Sequence, residues 1–292
     1  MRWKILLLIA VMFVAAFWFT TRPQSLVPAD LATGLADLEN GAAVFHAGGC
    51  AACHGEDLAG GLEMSTPFGT FHVPNISPDP DTGIGAWSEL DFANAMLLGV
   101  SPAGKHYYPA FPYPSYTRMD MQDLHDLKAY LDRREPLAKE TPGHDLNFPF
   151  NIRRGIGLWK QRYVTTEPIV ADEQLPPDAR RGRYLAEVLG HCGECHTPRD
   201  RFGGPDYRRW LAGGPNPDGE GRVPNITPHE NGLADWSEND IAYYLESGLT
   251  PEFDTVGGSM VKVQENFARL SDRDRRAVAA YLKAVAAHAG EP

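Results

Sequence analysis

The chain is 292 residues long, enough for about two domains of ordinary size. Its hydrophobic share of 43% and charged share of 22% exclude general disorder, while 29 glycines and 24 prolines favour short elements joined by loops over long bundles or broad sheets. A net charge of −11 argues against a nucleic-acid partner and for docking to a basic protein surface.

In chain order, the first predicted element is apolar. Arg2 and Lys4 precede an uncharged run from Ile5 to Phe19, closed by Thr20, Thr21, Arg22 and Pro23. Trp3 and the two threonines bring this run from signal-peptide length to nearly that of a bilayer span. Phe17, Trp18 and Phe19 stand where a small-x-small cleavage pattern would, so residues 1–22 are expected to form an uncleaved signal anchor, a transmembrane helix. A cleaved signal is the alternative. Basic residues ahead of the run put the N-terminus in the cytoplasm and the remainder outside, which in a bacterium means the inner membrane and the periplasm. Setting aside Arg2, Lys4 and Arg22 leaves 24 basic against 38 acidic residues in the exported part.

The rest of the chain repeats itself. "HVPNISPDPDTGIGAWSELDFANAMLLGVSP" (His72 to Pro102) matches "RVPNITPHENGLADWSENDIAYYLESGLTP" (Arg222 to Pro251), and Thr117 to Leu131 matches Ala268 to Leu282. Each copy is predicted to run helix, cysteine–histidine motif, long loop, helix, loop, helix. The first helix lies around Val44 and Phe45 in copy one and around Tyr184 and Leu185 in copy two. Ser88 and Ser237 precede Asp91 and Asp240 by capping-box spacing, and Ser271 stands likewise before Asp274. Leu124, Leu127 and Leu131, and Val278 with Leu282, give the last helix of each copy an apolar face. The copies occupy residues 36–134 and 179–288. The connector, 135–178, is rich in proline and charge, but its centre "NFPFNIRRGIGLWKQRYV" is too apolar for a free linker and is expected to pack across both copies.

All four cysteines fall in two pentapeptides, Cys50-Ala-Ala-Cys53-His54 and Cys192-Gly-Glu-Cys195-His196. A structural disulfide rarely spans two residues. Zinc needs a further ligand at each site. A thioredoxin-like pair has no use for the adjoining histidine. C-x-x-C-H is the attachment signature of c-type haem: the two thiols join the porphyrin's vinyl groups and the histidine becomes an axial iron ligand. Two covalently bound haem c groups are therefore expected, one on Cys50, Cys53 and His54, the other on Cys192, Cys195 and His196. The macrocycle also supplies core that such short elements lack. Trp87, Trp236 and the Pro-Asn-Ile triplets are expected to pack around it or hydrogen-bond near its edge.

The paired motifs, with "TPFGTFHVPNISPDPDTGIGAWS", "YYPAFPYPSYTRM" and "GGSMVKVQENFARLSDRD", resemble class I cytochrome c domains. The resemblance spans roughly Leu38 to Ala286 and is strongest to the membrane-bound cytochrome c subunits of bacterial alcohol, gluconate and aldehyde dehydrogenases. It implies a mostly α fold of two tandem cytochrome c domains. Those subunits typically carry three haems, whereas this chain has sites for two. The resembling domains place an axial methionine where Met260 stands in copy two. They commonly read "YPAMPY" in copy one, where this chain has Phe111 at the methionine's place. Met119, His106 or an open position remain for haem 1, with Met64 and Met121 more remote.

The implied function is one-electron transfer from an exported dehydrogenase subunit to a terminal oxidase or another cytochrome- or quinone-linked acceptor, with no catalytic residues of its own. The alternatives are a dihaem peroxidase-like enzyme using an open position on haem 1, and a haem-based sensor.

Overall fold

The computed structural model describes residues 2–216 and 221–290. Helix α1 (Arg2–Thr20) is apolar from Ile5 to Phe19, long enough to cross a membrane, and has no buried residue. It stands apart from the packed body except at its C-terminal end.

The body is two similar helical units. In copy one, Asp37 caps α2 (Leu38–Ala47) by accepting from the Glu39 and Asn40 amides. After α3 (Cys50–His54) come α4 (Glu89–Leu98), α5 (Tyr113–Tyr116) and α6 (Met121–Leu131). Ser88 caps α4 with a reciprocal bond to Asp91, so both orphan ends of the first turn are satisfied. Leu124, Leu127 and Leu131 of α6 bury against Val44 and Phe45 of α2, each such leucine contributing about 1.5–3 kcal/mol. The two helices cross at Gly41, where a Cβ would stand 2.3 Å from the Asp126 carbonyl oxygen.

Copy two repeats this with α8 (Ala179–Tyr184), continued by a π-helical turn Leu185–Leu189, then α9 (Gly193–His196), α10 (Glu238–Ser247), α11 (Met260–Phe267) and α12 (Asp272–Ala284). Ser237 and Ser271 cap α10 and α12. Here α8 and α12 cross at Gly182, whose Cβ would fall 1.8 Å from the Ala277 carbonyl oxygen.

Sheet is minor. β1 (Glu63–Thr66) and β2 (Gly69–His72) form an antiparallel hairpin with Met64 opposite Phe71, and β3 (Asp145–Leu146) of the connector joins its edge. β4 (Gly214–Pro215) pairs with β5 (Arg222–Val223). The predicted long loops therefore contain short strands, because the chain between motif and second helix doubles back and pairs with itself.

The connector packs on both copies. Its helix α7 (Ile156–Tyr163) sends Lys160 Nζ to the Leu98 and Gly99 carbonyls of copy one, at 2.6 and 2.8 Å. Its Ile169 and Val170 amides donate to the Glu187 carboxylate of copy two, at 2.9 and 3.0 Å. The copies also meet directly: Tyr184 Oη donates to Asp123 (2.6 Å), Ser115 Oγ to Glu194 (3.0 Å), and the Arg118 guanidinium to the Glu187 carbonyl (3.2 Å).

Candidate haem sites

The two Cys-x-x-Cys-His motifs lie at equivalent places, each just beyond its copy's first helix. In copy one the chain turns from α2 into α3 through Gly49, in the left-handed conformation (φ 59°) that glycine adopts without strain. The corresponding turn in copy two uses His191, with φ 38°. Its Nε2 lies 3.3 Å from the Gly48 carbonyl oxygen, and its ring meets Tyr116 edge-on at 5.7 Å. The two attachment segments thus touch.

The histidines are presented identically. His54 Nδ1 is 2.8 Å from the Pro74 carbonyl oxygen, and His196 Nδ1 is 2.8 Å from that of Pro224. A carbonyl only accepts, so each Nδ1 carries the proton and each Nε2 keeps its lone pair. Burial pushes the His54 imidazole down to about 4 and lowers that of His196, which keeps both rings neutral near pH 7. This is the form that binds iron, with a second partner fixing the ring's orientation.

The prolines are held in turn by the asparagines that follow them. Asn75 Oδ1 accepts from the Ser77 amide (2.8 Å) while Nδ2 donates to the Leu137 carbonyl (2.6 Å). Asn225 repeats this with the Thr227 amide (2.8 Å) and the His288 carbonyl (2.7 Å). The repeated Val-Pro-Asn triplet is therefore a support for the histidine. The repeat marked the place, but the acceptor is a main-chain oxygen, which no residue type announces.

The cysteines form no disulfide. Burial pushes the Cys50 and Cys192 thiols up to about 12, the reverse of what a reactive redox pair needs. Among the described residues no group of three or more His, Cys, Asp or Glu converges as a metal clasp. Copy two adds a support of its own: a Cβ on Gly193 would fall 2.0 Å from the Trp210 ring, and Trp210 Nε1 donates to Tyr281 Oη at 2.8 Å. Paired cysteines not joined by a disulfide, a neutral histidine with its far nitrogen held, and Nε2 of both rings without a hydrogen bond from any described residue fit a covalently attached haem c.

The repeat also locates the residues that could supply each iron with a second protein ligand. Upstream of them the copies stay in step: the Val100–His106 bridge corresponds to Leu249–Thr255, and the Tyr107 and Val256 amides donate to the Gly99 and Gly248 carbonyls. Counting on from there puts Phe111 level with Met260, and both pack half-buried on the core. Phe111 lies among Tyr107, Tyr113 and Tyr116, with ring centroids 5.8, 6.3 and 6.0 Å away. Downstream, Met119 corresponds to Leu270, and both are 7% exposed core residues just before the last helix. His106 is buried with Nε2 2.8 Å from the Thr21 carbonyl oxygen, at the end of α1. Met64 sits on β1 and Met121 opens α6.

The cytochrome c family profile matches residues 38–134 and again 179–286. The chain belongs to the cytochrome c family. It is 50% identical to a protein of Cereibacter sphaeroides named "Diheme cytochrome c-type", over 97% of each chain. It is 35% identical to the fructose dehydrogenase cytochrome subunit of Gluconobacter japonicus over 92% of this chain and 56% of that one. It is 36% identical to the gluconate 2-dehydrogenase cytochrome c subunit of Pantoea cypripedii over 86% and 60%. The cytochrome thus spans somewhat over half the length of these dehydrogenase subunits. Such relatives make it a haem c protein of electron transfer rather than a catalytic enzyme.

Proposed function

We propose that this cytochrome carries two haem c groups, on Cys50, Cys53 and His54 and on Cys192, Cys195 and His196, in domains spanning 36–134 and 179–288. It takes single electrons from an exported dehydrogenase and delivers them to a respiratory-chain acceptor. Residues 1–22 anchor it in the bacterial inner membrane with both domains in the periplasm. Haem c supplies a one-electron iron couple when bound.

The chain's own part is positioning. The Pro74 and Pro224 carbonyls hold His54 and His196 as neutral ligands. Met260 would give the copy-two iron its second protein ligand, and a thioether there would raise its potential. Copy one differs: Phe111 stands level with Met260 and offers no lone pair, and Met119 is retained as a core side chain equivalent to Leu270. The observation that carries the proposal is the contact between His191 and Gly48, each within two residues of an attachment cysteine. It brings the two attachment segments together, as serial electron transfer requires.

The test is to purify the full chain from membranes with whatever dehydrogenase accompanies it and to supply that enzyme's substrate. Stoichiometric reduction of both haems is expected. Rapid turnover of hydrogen peroxide, with no reduction by a dehydrogenase, would overturn the reading.

A further inference from the structure

The end of α1 is fastened into the body through the connector. Thr21 is fully buried; its Cα and Cβ lie 2.8 and 2.7 Å from the place a Cβ on Gly157 would occupy. Arg154 Nε donates to Thr21 Oγ1 at 3.0 Å, its other end donates to the Trp18 carbonyl, and its guanidinium lies over the Trp18 ring at 4.3 Å. Gln161 Nε2 donates to the Thr20 carbonyl at 2.6 Å. If α1 crosses a bilayer, its aromatic end marks the headgroup boundary, and this clasp holds α7 at the same depth.

The connector there has the composition that such a depth favours. Residues 147–163 contain four basic side chains and no acidic one, in a chain of net charge −11. Large apolar side chains stand out from it: Phe148 is 79% exposed, and Ile152 and Leu158 are each 48% exposed. They continue onto copy two, where Phe202 is 51% exposed. The patch is contiguous. Phe150 meets Phe68 edge-on at 4.7 Å, Phe68 lies against Gly203, and Trp159 Nε1 donates to the Phe202 carbonyl at 3.0 Å. Arg162 and Arg201 are exposed, and among the described residues neither forms an ion pair with a carboxylate; Arg153, Arg154 and Lys160 are turned onto main-chain carbonyls within the protein.

We propose that residues 147–163, with Phe202, form a second membrane contact. Phe148, Ile152, Leu158 and Phe202 enter the headgroup–acyl boundary, and the exposed Arg162 and Arg201 face anionic lipid headgroups. This surface fixes the orientation of the haem domains on the bilayer, which one helix alone leaves free to swivel. It rests on the reading of α1 as an anchor and goes beyond it. Continuity with the end of α1 and local positive charge favour a lipid surface over a partner protein, whose complement to this generally acidic chain would itself be basic.

The full chain is reconstituted into phosphatidylcholine vesicles with and without phosphatidylglycerol, each doped with an acyl-chain photo-crosslinking lipid, and cross-links are mapped by peptide mass spectrometry. Cross-links are expected in α1 and in 147–163 and 202, the latter increasing with phosphatidylglycerol and decreasing with salt. F148S/L158S/F202S is expected to keep the α1 cross-links while those of the connector fall to the level of the exposed Asp272–Asp274 turn. Cross-links in α1 with none in the connector of the unaltered chain overturn the proposal and leave the anchor standing. Connector labelling without α1 labelling supports the surface and overturns the anchor reading. Connector cross-links that the triple substitution and the lipid charge both leave unchanged also overturn it, as does connector protection that arises only when a dehydrogenase is added.

Discussion

Glu187 is the acceptor on which the second unit is assembled, and replacing it with alanine tests the packing account quantitatively. Its carboxylate is fully buried and accepts from the Ile169 and Val170 amides and from Tyr281 Oη, at 2.9, 3.0 and 2.7 Å. Tyr281 in turn receives the Trp210 indole N–H, and Trp210 packs on Gly193 inside the second attachment motif. Glu187→Ala leaves three donors without an acceptor, each costing about 1–3 kcal/mol when it stays dry. The phenol is fully buried and bears the whole penalty, while the half-buried amides regain some water, so about 3–5 kcal/mol is expected in all. For units of about 100 residues, at about 4 °C or more per kcal/mol, that is a fall in Tm of at least about 12–20 °C. Melting followed by far-ultraviolet circular dichroism reads the loss, and the absorption of the two haems read separately is expected to show disturbance at haem 2 first. Tyr281→Phe, which removes one donor and strands the indole, is expected to cost less than Glu187→Ala. A Tm within about 4 °C of the unaltered chain, equivalent to about 1 kcal/mol or less, would refute the reasoning.

Other substitutions bear on the iron ligands and on pH. Met260→Leu is expected to make haem 2 high-spin and lower its potential, leaving haem 1 alone, as read by electron paramagnetic resonance and a redox titration; an unchanged spectrum would move the ligand elsewhere. Met119→Leu, a near-isosteric core change costing under about 1.5 kcal/mol, is expected to leave both spin states as they were, and a new high-spin signal would make Met119 the ligand of haem 1. With Met260 in place, the reduced chain is expected to take up at most one carbon monoxide, at haem 1, and uptake of two would contradict the assignment. Burial pushes the Lys160 ammonium down to about 7 from 10.5, so the unfolded chain holds this proton more strongly than the folded one. Stability is accordingly expected to rise with pH between about 7 and 10.5, and Lys160→Met to flatten that rise in pH-dependent melting.

Much of the fold was legible because local chemistry announces it. Ser88, Ser237 and Ser271 cap the helices their spacing indicated, and the α6 leucines bury on the face their periodicity gave. The repeat exposed the two-unit architecture, and the attachment motifs needed only their five residues. What stayed hidden depends on main-chain groups or distant partners. Pro74 and Pro224 act through carbonyl oxygens 20 and 28 residues from their histidines. Gly41 and Gly182 matter because another helix's backbone passes over them, which only the fold reveals. The repeat already paired Met119 with Leu270, and hydrogen bonds upstream of the variable loop add that Phe111 stands level with Met260. The clasp between Thr21 and the connector spans 133 positions and has no local signature.

The central claim, that each pentapeptide holds its own haem c, is tested most directly by intact-protein mass spectrometry with a haem-iron assay on the full chain and on two variants, C50S/C53S and C192S/C195S. Two covalent haems per unaltered chain and one per variant, each missing from the altered motif's peptide, are predicted. Two haems retained in either variant, or none attached to the unaltered chain, would contradict the account.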